Sequence, residues 1–325
     1  MFGGADAATE ALTPADVTVR RNYLYKPLAW RGIWPVKNLL ETKNVRRILV
    51  DGNVFENNWT SAQVGFAILI KSNNQDNTNP WAATLDLTYT NNTVKNSTHG
   101  LNIMGIENAG KLSGISARLK FANNLWLIDG MWLQGFQGAQ QVTLDHETVI
   151  SNGNGNTMTF YSTPAVGFVV TNCVAQRTGY GIKGDGTGEG SVALQAFAPG
   201  YVFSLNLIAG ADPAVYPGNN FYPGTLDGVF VDAASGNYRI NPLSSYKGAG
   251  TDGKDLGCDI DALLAAQSGA VAAPSPAPTP VPSPSPSPSA TPTPSPSPTP
   301  APSPTPTPTP RCIKTNPKGK CLKWI

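Results

Sequence analysis

Two groups of side chains in this sequence have the types and spacing to do chemistry. Glu41, Lys71 and His99 are the catalytic candidates: a carboxyl for acid–base work, and an amine and an imidazole able to take up a proton. Lys183 is a further candidate base, and Glu107 is the only other carboxyl that falls near Glu41 in the pattern described below. Cleaving a glycosidic bond takes two carboxyl groups about 5 to 9.5 Å apart, so this pair is the minimum that hydrolysis would need. The second group is Trp132, Phe136 and Phe160 with Asn102 and Gln134 among them, the substrate-binding candidates. Aromatic rings stack on the apolar faces of pyranoses, and amides pair with the hydroxyls, so such a row suits a sugar polymer.

These residues sit in an internal repeat. Six times between Val17 and Ala175 the chain writes two apolar residues at alternate positions, two turn residues usually ending in Asn, and then another apolar residue. The landmark residues are Asn22, Asn53, Asn92, Asn124, Glu147 and Cys173, separated by 31, 39, 32, 23 and 26 positions. Period-two alternation repeated at about two dozen residues or more predicts a solenoid of strands. A strand opens each turn ahead of the landmark, as in 38–41, 66–70, 101–104, 131–134, 158–160 and 180–183, and a shorter one follows it. Each turn is therefore expected to hold three strands, with a two-residue link whose Asn or Gly content suits left-handed backbone.

Stacked Asn22, Asn53, Asn92 and Asn124 in that link resemble the asparagine ladder of the right-handed parallel β-helices of the pectin-lyase-like superfamily. Glu147 and Cys173 break the pattern. The stretch from Gly236-Asn237-Tyr238-Arg239-Ile240-Asn241-Pro242 to Gly253-Lys254-Asp255-Leu256-Gly257 resembles the closing turn of an uncharacterised group of secreted bacterial β-helix proteins. The resemblance implies an all-β, three-strand solenoid of at least six turns over residues 1–271, irregular from about 190. It also implies a groove floored by the outer face of the opening strands and walled by the long loops.

If Gly65, Gly100, Gly130, Asn156 and Gly179 are equivalent, alternation points Phe66, Ile68, Leu101, Ile103, Met131, Leu133, Tyr180 and Ile182 inward. Asn102, Trp132, Gln134, Phe136, Met158 and Phe160 then face the groove. The loops Ser72–Trp81 and Lys26–Pro35, the latter with Trp30, Arg31 and Trp34, wall it.

Against this frame the catalytic signals thin out. The paired aspartates and Gly-His-Gly of polygalacturonase-like enzymes are missing, since Thr98-His99-Gly100 matches only the centre of that motif. The opening strands carry no acidic cluster for a calcium-dependent lyase. Asp252, Asp255, Asp259 and Asp261 have calcium-like spacing but also read as the closing turn, with Asp259 as cap of a helix over 260–267. No cofactor is expected, and no Cys or His spacing supports a metal.

Residues 272–310 are almost wholly Pro, Ser, Thr and Ala, which predicts an uncharged extended linker. Residues 311–325 form a basic tail with five cations and no acid, in which Cys312 and Cys321 can close a loop in an oxidising compartment. The tail would dock to an anionic surface or a sorting partner. Removing its five cations from 23 leaves 18 basic against 21 acidic residues, which disfavours a nucleic-acid partner. No apolar run is long enough to span a membrane.

The linker suits a secreted or cell-surface protein, yet no signal peptide opens the chain, and a strand follows almost at once. We therefore expect the repeat domain to be N-terminally incomplete. The expected function is non-catalytic binding of a polysaccharide or cell-surface glycan, or adhesion. The alternatives are a polysaccharide lyase or glycoside hydrolase working in the groove, and a structural surface spacer.

Overall fold

In a computed structural model, which describes residues 9–73, 78–107, 110, 112–270, 311–315 and 317–324, the alternating segments form three parallel sheets. The first sheet holds Ala15–Arg20, Val45–Asp51, Thr84–Thr90, Ala117–Ala122, Gln140–Asp145, Val166–Thr171 and Val202–Ser204. The second holds Tyr23–Tyr25, Val54–Asn58, Thr93–Ser97, Leu125–Gly130, Thr148–Asn154, Val174–Gln176 and Leu207–Ala209. The groove sheet holds Leu40–Thr42, Phe66–Lys71, His99–Met104, Leu133–Phe136, Met158–Tyr161 and Ile182–Gly184. The domain is thus a parallel β-helix of three strands per turn.

Alternation decides what lies inside. In the first sheet Ile48, Leu87, Leu119, Val142 and Phe168 stack in register, and Val50, Tyr89, Phe121, Leu144 and Val170 form a parallel column two residues on. All ten are buried. Phe55, Val94, Trp126 and Val149 of the second sheet face them. Tyr89 lies between Phe121 and Trp126, with ring centroids 5.5 and 5.8 Å away.

Between the first and second sheets the chain turns on two residues. The first of the pair is Arg21, Gly52, Asn91, Asn123, His146, Asn172 or Leu205, each at a φ between 50° and 66°. The second carries the ladder. The Oδ1 of Asn53 accepts both the backbone N–H and the Nδ2 of Asn22 at 3.0 Å, and Asn92 and Asn124 repeat the arrangement for the turn before each. Asn92 and Asn124 each satisfy two donors that would otherwise be buried without partners.

Glu147 does not interrupt this run but ends it. Its carboxyl accepts from Asn124 Nδ2 at 2.8 Å and from Trp126 Nε1 at 2.5 Å, and full burial pushes its pKa up to about 8. Cys173 opens a second run: its N–H donates to Asn206 Oδ1, and Asn206 donates in turn to Asn220. The thiol points at Leu144 O, where a ladder amide would donate.

A short helix, Ser191–Phe197, packs Leu194 and Phe197 into the core cluster next to the last turns. After a hairpin of Phe230–Asp232 and Asn237–Ile240, the chain runs back along the outside of the two-residue turns as a strap. Its contacts descend the solenoid in order. Thr251 N donates to Asn172 Oδ1, Cys258 N to Thr148 Oγ1 and Asp259 N to Asn123 Oδ1. Gln267 Nε2 reaches Asn91 O, and Ala266 O accepts from Arg21 Nε. Asp259 caps the helix Ile260–Ala266 through Oδ1, as its position in the sequence implied.

The chain divides into two compact units, 1–274 and 275–325. In the second, Cys312–Thr315 and Cys321–Trp324 pair antiparallel, and Cys312 is disulfide-bonded. The expected linker over 272–310 lies outside the described residues. Among the described residues no helix is long and apolar enough to cross a membrane.

Two measurements test this account. Gly52 has φ +66°, and a Cβ there would sit 2.4 Å from Ala266 O, so Gly52→Ala should cost about 1–3 kcal/mol in urea unfolding. A loss below a few tenths would mean that the strap does not bear on this turn. For Glu147, the folded protein keeps a proton that the unfolded chain loses near pH 4.5, so stability should fall as pH rises from there to about 8. Glu147→Gln should flatten that fall, and identical pH slopes in the two proteins would exclude titration of this carboxyl.

Candidate functional site

The groove sheet turns one face out, and register shows which side chains share it. Leu40, Ile68, Leu101, Leu133, Met158 and Ile182 form an inward column. One residue on, Glu41, Leu69, Asn102, Gln134, Thr159 and Lys183 form an outward row across all six strands. Lys71 and Met104 pair two residues further.

At the N-terminal end of the row, Lys71 joins two carboxylates. Its Nζ lies 3.0 Å from Glu41 Oε1 and 2.6 Å from Glu107 Oε1, and Asn73 donates to the other Glu107 oxygen. Lys71 is 3% exposed and Glu41 is buried, while Glu107 keeps more solvent access. These distances place the two Oε1 atoms no more than 5.6 Å apart, a separation in the range used by carboxyl pairs that cleave glycosides. The ammonium, however, fills the space between them. The buried ammonium is thus paired by two carboxylates, one buried and one with part of its solvent access kept, which supplies the partner that a buried cation needs.

His99 stands apart from it. It begins the strand whose other end faces Lys71, so five residues at about 3.3 Å each, roughly 16 Å, separate the two. Its Nδ1 accepts the Met131 N–H at 3.0 Å, which leaves the proton on Nε2, and burial lowers its pKa from the usual value. It packs against Phe66 as a neutral ring. Glu41 and Lys71 are thus brought together, and His99 is not.

Of the five substrate-binding candidates, two lie where alternation put them. Asn102 Nδ2 donates to Gln134 Oε1 at 3.0 Å, so the two amides form a pair on the outward row. Trp132, Phe136 and Phe160 are instead buried in the core cluster. Phe160 and Met158 point inward because Met158 pairs with Leu133, so Asn156 and Gly130 are not equivalent and the phase slips by one. Trp132 precedes the regular strand: its N–H and that of Leu133 both donate to Thr157 O, so alternation has not begun at Trp132. Phe136 ends the same strand, and its ring stacks 4.7 Å from Phe160 and edge-on to Phe168.

Tyr180, expected inward, is 66% exposed, with Lys183 Nζ 4.9 Å from its ring centroid. Asn156 links it to the row: Oδ1 accepts the Tyr180 N–H and Nδ2 donates to Thr159 Oγ1. Thr159 and Tyr180 are the members of this face that sequence reasoning passed over. Their signal was the Met158-Thr159-Phe160 alternation read one residue out of phase.

Elsewhere, a cleft of about 730 Å³ opens where the strap crosses the turns of Asn123 and His146. It contains the four aspartates with calcium-like spacing, each held separately. Asp252 faces Lys254 and His146, Asp255 faces Lys247, Asp261 faces Arg239, and Asp259 caps its helix. Among the described residues no three His, Cys, Asp or Glu side chains group as metal ligands. Of the groove-wall loop Ser72–Trp81, residues 74–77 lie outside the described residues.

No family model, curated protein or solved structure matches this chain.

The triad makes a quantitative demand. Lys71→Met should destabilise the domain by about 3–5 kcal/mol, since it leaves two neighbouring carboxylates uncompensated. Lys71→Met with Glu41→Gln should recover much of that loss, because the remaining Glu107 is partly hydrated. A single variant as stable as the parent would show that Lys71 does not compensate the two carboxylates.

Proposed function

We propose that this chain is a secreted or cell-surface β-helix of the pectin-lyase-like kind that binds a glycan without cleaving it. The observation that carries the reading is the outward row Asn102–Gln134–Thr159–Lys183, paired in register, with the exposed ring of Tyr180 beside its last member Lys183. Successive strands stand about 4.8 Å apart, so the row offers amide, hydroxyl and ammonium groups at regular intervals beside a ring on which a sugar face can stack. Asn102 is buried, but half-buried Gln134, Thr159 and Lys183 beside the exposed Tyr180 ring are held on a rigid sheet and require little ordering when a ligand arrives.

The lyase or hydrolase alternative rests on Glu41, Lys71 and Glu107, where the ammonium occupies the position that a scissile bond would need. Binding by the row requires no displacement of that kind.

The test is affinity chromatography or calorimetry on a panel of neutral and acidic polysaccharides, with product analysis in parallel. Tyr180→Ala and Gln134→Ala should each weaken retention by about 5- to 30-fold, equivalent to about 1–2 kcal/mol, with unchanged thermal unfolding. Retention that ignores both changes would remove the row from the site. New reducing or unsaturated ends in the polymer would replace this reading with an enzymatic one, and no retention at all would leave a surface spacer.

A further inference from the structure

The loop that links the second sheet to the groove sheet contains Pro27-Leu28-Ala29-Trp30-Arg31-Gly32-Ile33-Trp34-Pro35-Val36, in which Arg31 is the single polar side chain. Loops at a water surface are usually polar. Here Leu28, Trp30, Ile33 and Trp34 are 42 to 70% exposed, four large apolar groups within seven residues. Such a patch marks contact with something other than water.

Three observations identify the contact. Four of the seven backbone N–H groups of Leu28–Pro35 are satisfied within the loop: Trp30 N donates to Pro27 O at 2.9 Å, Arg31 N to Leu28 O at 3.0 Å, and Ile33 N and Trp34 N both to Trp30 O at 3.0 Å. An N–H paired in this way can approach the headgroup–acyl boundary without being stranded, and the remaining peptide groups keep to the water of the headgroup layer.

The cations at and after the loop are also uncommitted. Arg31, Lys37 and Lys43 form no ion pair among the described residues, which leaves them available to anionic headgroups.

The rings are of the type that favours a membrane–water boundary. Tyr25, exposed and stacked on Tyr23 at 4.7 Å, lies just before the loop. The root is firm, because Lys26 Nζ donates to Lys37 O and Asn58 Oδ1 and stands over the Trp59 ring.

We infer that Leu28–Pro35 is an interfacial anchor, whose apolar side chains enter the headgroup–acyl boundary of an anionic bilayer while Arg31 and Lys37 meet the phosphates. A glycan is a poorer occupant, because Leu28–Pro35 itself carries no amide, hydroxyl or carboxylate side chain to pair with sugar hydroxyls. A second copy would set Arg31 and Lys37 of one loop against those of the other. The inference does not rest on the glycan reading of the groove.

The test is co-sedimentation of the full chain with vesicles of phosphatidylcholine alone and of phosphatidylcholine with phosphatidylserine, with size-exclusion chromatography in their absence. The parent should partition preferentially into the anionic vesicles, and Trp30→Ser with Trp34→Ser should reduce that partitioning at least about tenfold with circular dichroism unchanged. Arg31→Glu should weaken it and reduce its sensitivity to salt. Absence of partitioning by the parent, or equal partitioning by the double variant, would overturn the inference. So would a dimer without vesicles that the double variant dissolves, which would assign the loop to self-association.

Discussion

A residue at positive φ in every turn, followed in four of the seven by a buried amide, is the constraint on which the domain depends. The first residue reverses the chain in the smallest space available, and the second gathers the peptide donors that this reversal exposes. Because side chains alternate strictly along a strand, the position of this turn also sets which residues of the two flanking sheets face in. The stacked columns from Ile48 to Phe168 and from Val50 to Val170 keep one register through turns of very different length. Insertions are absorbed in the other two connections, where no ladder fixes the count. Glu147 shows the tolerance of the device: a longer acid side chain still accepts from the neighbouring amide, with its charge suppressed by burial.

The same physics explains what could be read in the sequence. The first two sheets were legible because asparagine and alternation mark every turn. Even the irregular landmarks Glu147 and Cys173 fell in place, although Asn206 and Asn220 extend the ladder beyond the stretch where the repeat was visible. The groove sheet has no such marker. Its strands begin after loops of variable length, and treating Gly130 and Asn156 as equivalent shifted one strand by a single residue. That shift carried Phe160 from core to surface on paper, while Trp132 was misplaced because it precedes the strand whose alternation was applied to it. Glu41 and Lys71 could be picked out by residue type, but their meeting with Glu107 depends on a loop conformation that no periodicity encodes.

The outer face of this sheet therefore divides into two kinds of surface. At its N-terminal end Lys71 and Glu41 are buried against each other with Glu107 at a partly exposed edge, so these charges are committed to one another. Toward Lys183 and Tyr180 the polar row becomes accessible, and its groups face outward with part of their hydrogen-bonding capacity free. On the proposed function, stability and recognition are served by different strands of one sheet.

The strap changes how such a molecule comes apart. In a solenoid where each turn touches only its neighbours, stability is a sum of local terms, and terminal turns can peel away one after another. Here the segment from Thr251 to Gln267 crosses from the sixth turn to the first, and Arg21 is bonded to a residue 245 positions away. Loss of an end turn then also releases contacts that reach across the middle of the coil. The fastening can close only after most of the winding is complete, and once closed it converts a chain of nearest-neighbour steps into a cooperative unit that opens together.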